Sequence, residues 1–173
     1  AMMVDCGHDR VVRDQHPDEQ DPRSRRIYAG DFLKKQGIDR LDLLLITHFH
    51  RDHIGGLARM LEAVTVDRLL TPYVPPLEAG SLDPDGDNGL PNAARNLLRC
   101  MDFYAQPLRS FRDRIGSLEE LSGDHMETLH LTEELSMDIL FGEPALYPRQ
   151  RQLFDSAYRG ERNGYDLLHW AKS

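Results

Sequence analysis

Thr47-His48-Phe49-His50-Arg51-Asp52-His53-Ile54-Gly55-Gly56 brings three imidazoles and one carboxylate together within six residues. This histidine segment (residues 47–56) directly follows the apolar run 43–46 and directly precedes a helical pattern. A role in packing alone does not explain why a buried strand is followed by a turn with four potential metal ligands and then by two glycines. The segment therefore predicts a metal site at the end of a strand; the alternative is a polar, histidine-rich loop without a metal.

The spacing within the segment indicates how the four donors are used. His48 and His50 are two residues apart at the end of an extended run, so their side chains are expected to point the same way. Asp52 and His53 follow the turn, where adjacent side chains diverge and are able to serve two positions of one site. Imidazole and carboxylate donors suit zinc, with manganese or iron as alternatives. The predicted metal ligands are therefore His48, His50, Asp52 and His53.

Strand and helix patterns alternate on both sides of the histidine segment. Residues 2–7 and 41–46 are apolar runs typical of strands, and the second lacks alternation, which predicts burial on both faces. Residues 57–64 have an apolar helical face, and 66–70 form a further short strand. A strand, a helix and a strand within about thirty residues predict a crossover unit of an α/β domain.

The remaining chain predicts further elements within one domain spanning residues 1–173. These are a helix over 27–35, a long helix from Asn92 to about residue 115 that Pro107 should kink or end, two β-like runs at 127–131 and 135–141, and one short helix in the tail. Residues 13–26 are predicted to form a polar loop, and residues 72–91 a Pro/Gly/Asp-rich loop. The acids Asp83, Asp85 and Asp87 resemble part of a calcium loop, but position 94 is Ala where a distal glutamate is expected, so a surface loop is favoured.

Length, charge and cysteine content limit the functional classes. The 173 residues suit one domain with a core of its own. A net charge of −8 disfavours charge-driven binding of nucleic acid. Nucleic acid is therefore expected to bind only as a substrate held by a metal. Two cysteines, Cys6 and Cys100, suit a reducing compartment, and no apolar run is long enough to predict a membrane span. A cytoplasmic location is therefore expected.

His48-x-His50-x-Asp52-His53 followed by Gly55-Gly56, downstream of the Asp5-Cys6-Gly7 turn, resembles the metallo-β-lactamase superfamily. The sequence around it is most similar to the ComEC-type competence and related hydrolase branch. The resemblance covers residues 2–72. It implies an αββα sandwich, of which this chain would contain the N-terminal half to two-thirds.

The resemblance also implies roles for individual residues. His48 and His50 would bind one metal, and Asp52 and His53 would bind a second, each pair together with a later histidine. A bridging aspartate would join the two metals. The expected cofactor is one or two zinc ions, and a metal-bound hydroxide would attack a phosphodiester or related ester bond in a small molecule or other substrate. Asp52 would be the catalytic residue, because it would both bind metal and orient the water. Asp5 would support the ligand loop.

The later part of the sequence departs from the family pattern. It has no Gly-His-Thr-Pro-Gly-His segment and no late apolar strand that ends in Gly-Asp. The later histidines His125, His130 and His169 lie in no family motif, and His130 is expected to be an ordinary strand residue. We therefore expect a truncated domain. The alternatives to a hydrolase are a catalytically incomplete binding or interaction module and a protein completed by a partner chain. Exposed strand edges would favour self-association in each case.

Overall fold

A computed structural model describes residues 1–8, 27–82, 91–121, 127–134, 136–139 and 147–160. Several sequence predictions lie outside these ranges: the polar loop 13–26, the acids Asp83, Asp85 and Asp87, the histidines His125 and His169, and the tail beyond residue 160. None of the described helices has the length and apolar character that crossing a membrane requires.

A four-stranded parallel sheet forms the centre of the structure. Its strands are β1 (Met2–Val4), β2 (Arg40–Leu45), β3 (Thr65–Thr71) and β4 (Ile115–Glu120), in the spatial order β1-β2-β3-β4. All three pairings are parallel, so every strand ends at the same edge of the sheet. This carboxyl edge is where the histidine segment lies, since it follows β2 directly.

Helices and one hairpin complete the described architecture. The helices are α1 (Ala29–Lys35), α2 (Arg51–Ile54), α3 (Leu57–Ala63), α4 (Asn92–Ser110) and α5 (Tyr147–Tyr158), with a short 3-10 helix at Arg112–Arg114. Strands β5 (Glu127–His130) and β6 (Ser136–Ile139) form an antiparallel pair. The structure confirms the α/β class, the parallel β2–α3–β3 crossover, and His130 as an exposed strand residue.

Two apolar clusters occupy opposite faces of the sheet. Leu44 and Ile46 of the β2 run belong to a large cluster shared with helices α3, α4 and α5. Leu43 and Leu45 belong to a smaller cluster shared with the β5–β6 hairpin. The expectation that the run 41–46 is covered on both faces is confirmed, and it explains why the run lacks alternation.

One predicted boundary differs from the structure, and two short elements were not predicted. Helix α4 ends at Ser110, before the expected end near residue 115, and Pro107 lies inside its last turn. Residues 115–120 form strand β4, although their glycine and acidic residues gave no strand pattern. The histidine segment also contains the single-turn helix α2, which the sequence pattern did not predict.

Candidate metal centre

The histidine segment begins where β2 ends and turns at once into α2. The amide of Ile46 donates to the carbonyl of Leu70 at 2.8 Å, which extends the β2–β3 pairing by one residue. His50 is the extended residue before α2, and its carbonyl accepts from the amides of His53 at 2.9 Å and Ile54 at 3.1 Å. This closed turn brings His53 back toward His48.

The turn after β1 packs against the same segment. The amide of Cys6 donates to the carbonyl of His53 at 2.6 Å, and the amide of Gly56 donates to the carbonyl of Gly7 at 2.9 Å. A Cβ atom at Gly56 would overlap the carbonyl oxygen of Cys6, so this close approach of two backbones requires glycine. The Asp-Cys-Gly turn and the glycine pair therefore form one structural unit.

Asp5 is the centre of the hydrogen bonds in this unit. Its backbone has a positive φ of 57°, a conformation that Asp and Asn adopt more readily than most residues. Its carboxylate accepts from the backbone amide of Thr47 at 2.9 Å, from the hydroxyl of Thr47 at 2.8 Å and from Nδ1 of His53 at 2.7 Å. The support role that the resemblance implied for Asp5 thus has a direct contact to a predicted ligand.

These contacts determine which ring nitrogens carry protons. A carboxylate only accepts, so Nδ1 of His53 must carry the hydrogen that Asp5 receives. The hydroxyl of Thr47 has one hydrogen, which it donates to Asp5. It must therefore accept from Nδ1 of His48, which lies 3.0 Å away. In its neutral form each of these rings therefore has an unprotonated Nε2, the atom through which this tautomer binds a metal.

The three imidazole rings form a cluster. The ring centroid of His48 lies 4.8 Å from that of His50 and 3.8 Å from that of His53. Burial lowers the pKa of His48, and the neighbouring rings of His53 and His50 lower it further. These effects favour neutral imidazole, which is the state that binds metals.

Asp52 lies beside this cluster but is more open to solvent. Its Oδ2 is 3.5 Å from Nε2 of His53, and its side chain is 67% exposed against 31% for His53. The two neighbouring side chains therefore approach each other, whereas the sequence predicted that they diverge. The two side chains approach because the unpredicted helix α2 places both residues in one tight turn.

The three imidazoles and Asp52 are the side chains that would hold a metal. Within the described ranges, no group of three or more His, Cys, Asp or Glu side chains has its donor atoms gathered around one point. The chemistry of the donors nevertheless suits zinc, because two unprotonated Nε2 atoms, a third imidazole and a carboxylate are neighbours. The residues fit the ion in type and in the tautomer of two rings, although their donor atoms do not surround one point.

Sequence reasoning missed Thr47 and Phe49. Thr47 is the residue whose hydroxyl joins Asp5 to His48, and Phe49 is buried between the two outward-facing histidines. A signal for Phe49 was present, since an aromatic residue that alternates with histidines after a strand should face the core. No sequence signal for Thr47 was available, because its role depends on the turn after β1.

The comparisons with known proteins bear on the same part of the chain. The family model of the metallo-beta-lactamase superfamily matches residues 1–72, which include the Asp5 turn, β2 and the histidine segment. This match supports the superfamily, and the parallel α/β sheet is consistent with the N-terminal portion of such a fold. The superfamily suggests a metal-dependent hydrolase. Neither the curated proteins nor the solved structures gave a match.

Proposed function

We propose that this protein is a zinc-dependent hydrolase of the ComEC-type branch, acting on a phosphodiester or related ester. The observation that carries the proposal is the pair of contacts from Asp5 to His53 and from Thr47 to His48. Contacts of this kind, which fix the tautomer and orientation of neighbouring histidines, are what metal ligands need.

The proposed ligands are His48, His50, Asp52 and His53, around one or two zinc ions, with manganese or iron as alternatives. Zinc would supply a Lewis acid that lowers the pKa of a water toward neutrality. The chain's own residues would do the remaining work. Asp5 holds the proton on Nδ1 of His53, and the exposed carboxylate of Asp52 would accept a hydrogen bond from the attacking water.

Arg51 supports an anionic substrate for this site. It lies between His50 and Asp52 in the sequence, its side chain is exposed, and its guanidinium lies 4.6 Å from the ring centroid of Phe103. A cation next in sequence to the proposed ligands favours a substrate with a negative charge next to the scissile bond, as in a phosphodiester. This local charge contrasts with the net charge of −8 of the whole chain.

The proposal is tested by zinc binding and by hydrolysis of bis(p-nitrophenyl) phosphate. The wild-type protein should bind zinc and hydrolyse the ester, and His48→Ala and Asp52→Ala should each abolish hydrolysis. His130→Ala is the matched control, because His130 is an exposed strand residue outside the segment and its removal should leave the rate unchanged.

Two outcomes would contradict the proposal. A zinc-loaded protein that hydrolyses no phosphodiester, thioester or lactam would not be a hydrolase of this kind. A protein that binds no zinc at all would instead favour an interaction module or a chain completed by a partner. Size-exclusion chromatography would test the expected self-association in the same preparation.

A cytoplasmic location is proposed together with this activity. Cys6 is buried and Cys100 is half-buried, and both are free thiols. Free thiols are compatible with a reducing compartment. Fractionation of cells that express the protein would test the location.

A further inference from the structure

Phe49 connects the proposed ligands to the core. It lies between His48 and His50, and only 7% of it is exposed. Successive residues of an extended chain point to opposite sides, so the ring of Phe49 faces inward while the two imidazoles face the site. The position of this ring therefore constrains both neighbouring histidines.

Two aromatic side chains hold Phe49 from the inside. Its ring centroid lies 4.6 Å from that of Tyr104 in α4 and 5.9 Å from that of Phe154 in α5. Tyr104 is fixed in turn, because its hydroxyl donates to Oγ1 of Thr71 at 2.6 Å at the end of β3. Burial raises the pKa of Tyr104, so this hydroxyl keeps its proton and remains a donor.

Phe154 depends on how α5 is attached. Its side chain is fully buried, with its ring 5.1 Å from that of Tyr73. On the same helix, Asp155 accepts from the hydroxyl of Tyr73 at 2.9 Å, and Arg151 forms an ion pair with Glu120 at 3.0 Å. These contacts attach α5 to the residues that follow β3 and end β4, at the carboxyl edge that carries the site.

We propose that α5 is a positioning element for the histidine segment, with Phe154 acting through Phe49. None of the contacts of α5 given above is with a histidine. The helix instead packs, through Phe154, against Phe49 on the inner side of the histidine segment. The link from this support to zinc affinity rests on the proposed function, whereas the ordering of the loop by α5 does not.

Phe154→Ala tests the inference, with Ile115→Ala as the matched control. Ile115 belongs to the same apolar cluster and is 3% exposed, but it lies at the start of β4, opposite the carboxyl edge. Both variants remove a buried apolar side chain. They differ in whether that side chain lies beneath the histidine segment.

The first measurement is amide hydrogen exchange of residues 47–54 in the metal-free protein. Phe154→Ala should accelerate exchange in this segment by about 10-fold relative to Ile115→Ala, because local opening becomes easier there. Phe154→Leu should largely restore protection. Should Phe154→Ala fail to fold, Tyr73→Phe removes the bond to Asp155 while keeping its ring, and should give a smaller acceleration in the same segment.

The second measurement is the zinc dissociation constant, determined by competition with a chelator. Phe154→Ala should weaken binding by about 10- to 100-fold, the range for residues that orient metal ligands, and Ile115→Ala should not. Equal exchange of residues 47–54 in Phe154→Ala and Ile115→Ala would overturn the inference. Absence of zinc binding by the wild type would contradict the proposed function, while the exchange result would still decide the role of α5.

Discussion

Asp5→Asn is the substitution that probes the proposed ligand geometry with the least disturbance. Asparagine matches aspartate in size and also tolerates the positive φ at this position, so the turn itself should persist. The change replaces one carboxylate oxygen by an NH2 group. An NH2 group donates and cannot accept, so at least one of the three hydrogen bonds to Asp5 must be lost or reversed.

The magnitude follows from the nature of these bonds. Asp5 is only 17% exposed, so solvent screens its charge weakly. Loss of one hydrogen bond to a charged group costs about 1.5–3 kcal/mol of folding stability. If the NH2 group donates to Nδ1 of His53, the ring proton moves to Nε2 and blocks the nitrogen proposed to bind zinc. Zinc affinity should then fall about 10- to 100-fold, or about 1.4–2.7 kcal/mol.

The assay combines three readings on the same samples: the zinc dissociation constant, the ring-nitrogen NMR shifts of His53 and the thermal denaturation midpoint. Asp31→Asn is the control, because it removes one carboxylate from an exposed ion pair with Arg59, away from the site. It should leave the first two readings unchanged. If Asp5→Asn keeps the wild-type zinc affinity and the wild-type tautomer of His53, the hydrogen-bond reasoning is refuted.

Three further variants test other parts of the structure. Gly56→Ala should lower the free energy of unfolding by about 1–3 kcal/mol, because the added Cβ would overlap the backbone of Cys6. The control Gly80→Ala should change the free energy of unfolding little, because the added Cβ would have open space. Equal denaturation curves for the two variants would refute this reasoning. Tyr104→Phe should cost about 0.5–1.5 kcal/mol through its lost buried hydrogen bond, also read from denaturation, and no loss would contradict that bond. A hydrogen bond from Arg68 holds the pKa of Glu119 below its usual range. The stabilising effect of this hydrogen bond is therefore present above the usual pKa of a glutamate and is lost as the pH falls through the lowered pKa of Glu119. Glu119→Gln should flatten the fall of the unfolding free energy at acid pH. An unchanged fall at acid pH would count against a stabilising bond between Arg68 and Glu119.

The histidine segment and its parallel neighbours were predictable because their signals are local. An apolar run without alternation predicts a strand covered on both faces, and β2 is such a strand. The four donors are adjacent in the sequence, so their meeting at the strand end needed no knowledge of distant residues. The helical period of 57–64 likewise matched α3, within one residue at its C-terminal end.

The missed features depend on contacts between distant residues. Strand β4 contains Gly116 and ends in acidic residues, yet it pairs with β3, where Arg68 donates to Glu119 at 2.8 Å. Thr47 acquires its role only because Asp5 reaches it from the turn after β1. Phe154 lies far along the chain from the ring of Phe49, which it supports. Sequence periodicity carries no information about such pairings.

Zinc-edge anomalous scattering from crystals of the zinc-loaded protein would show whether the four proposed ligands hold the ion. We predict a peak at the histidine segment, about 2.0–2.1 Å from Nε2 of His48 or of His53, with His50 or Asp52 among the neighbouring donors. Crystals that bind zinc elsewhere, or that show no anomalous peak at these four side chains, would contradict it.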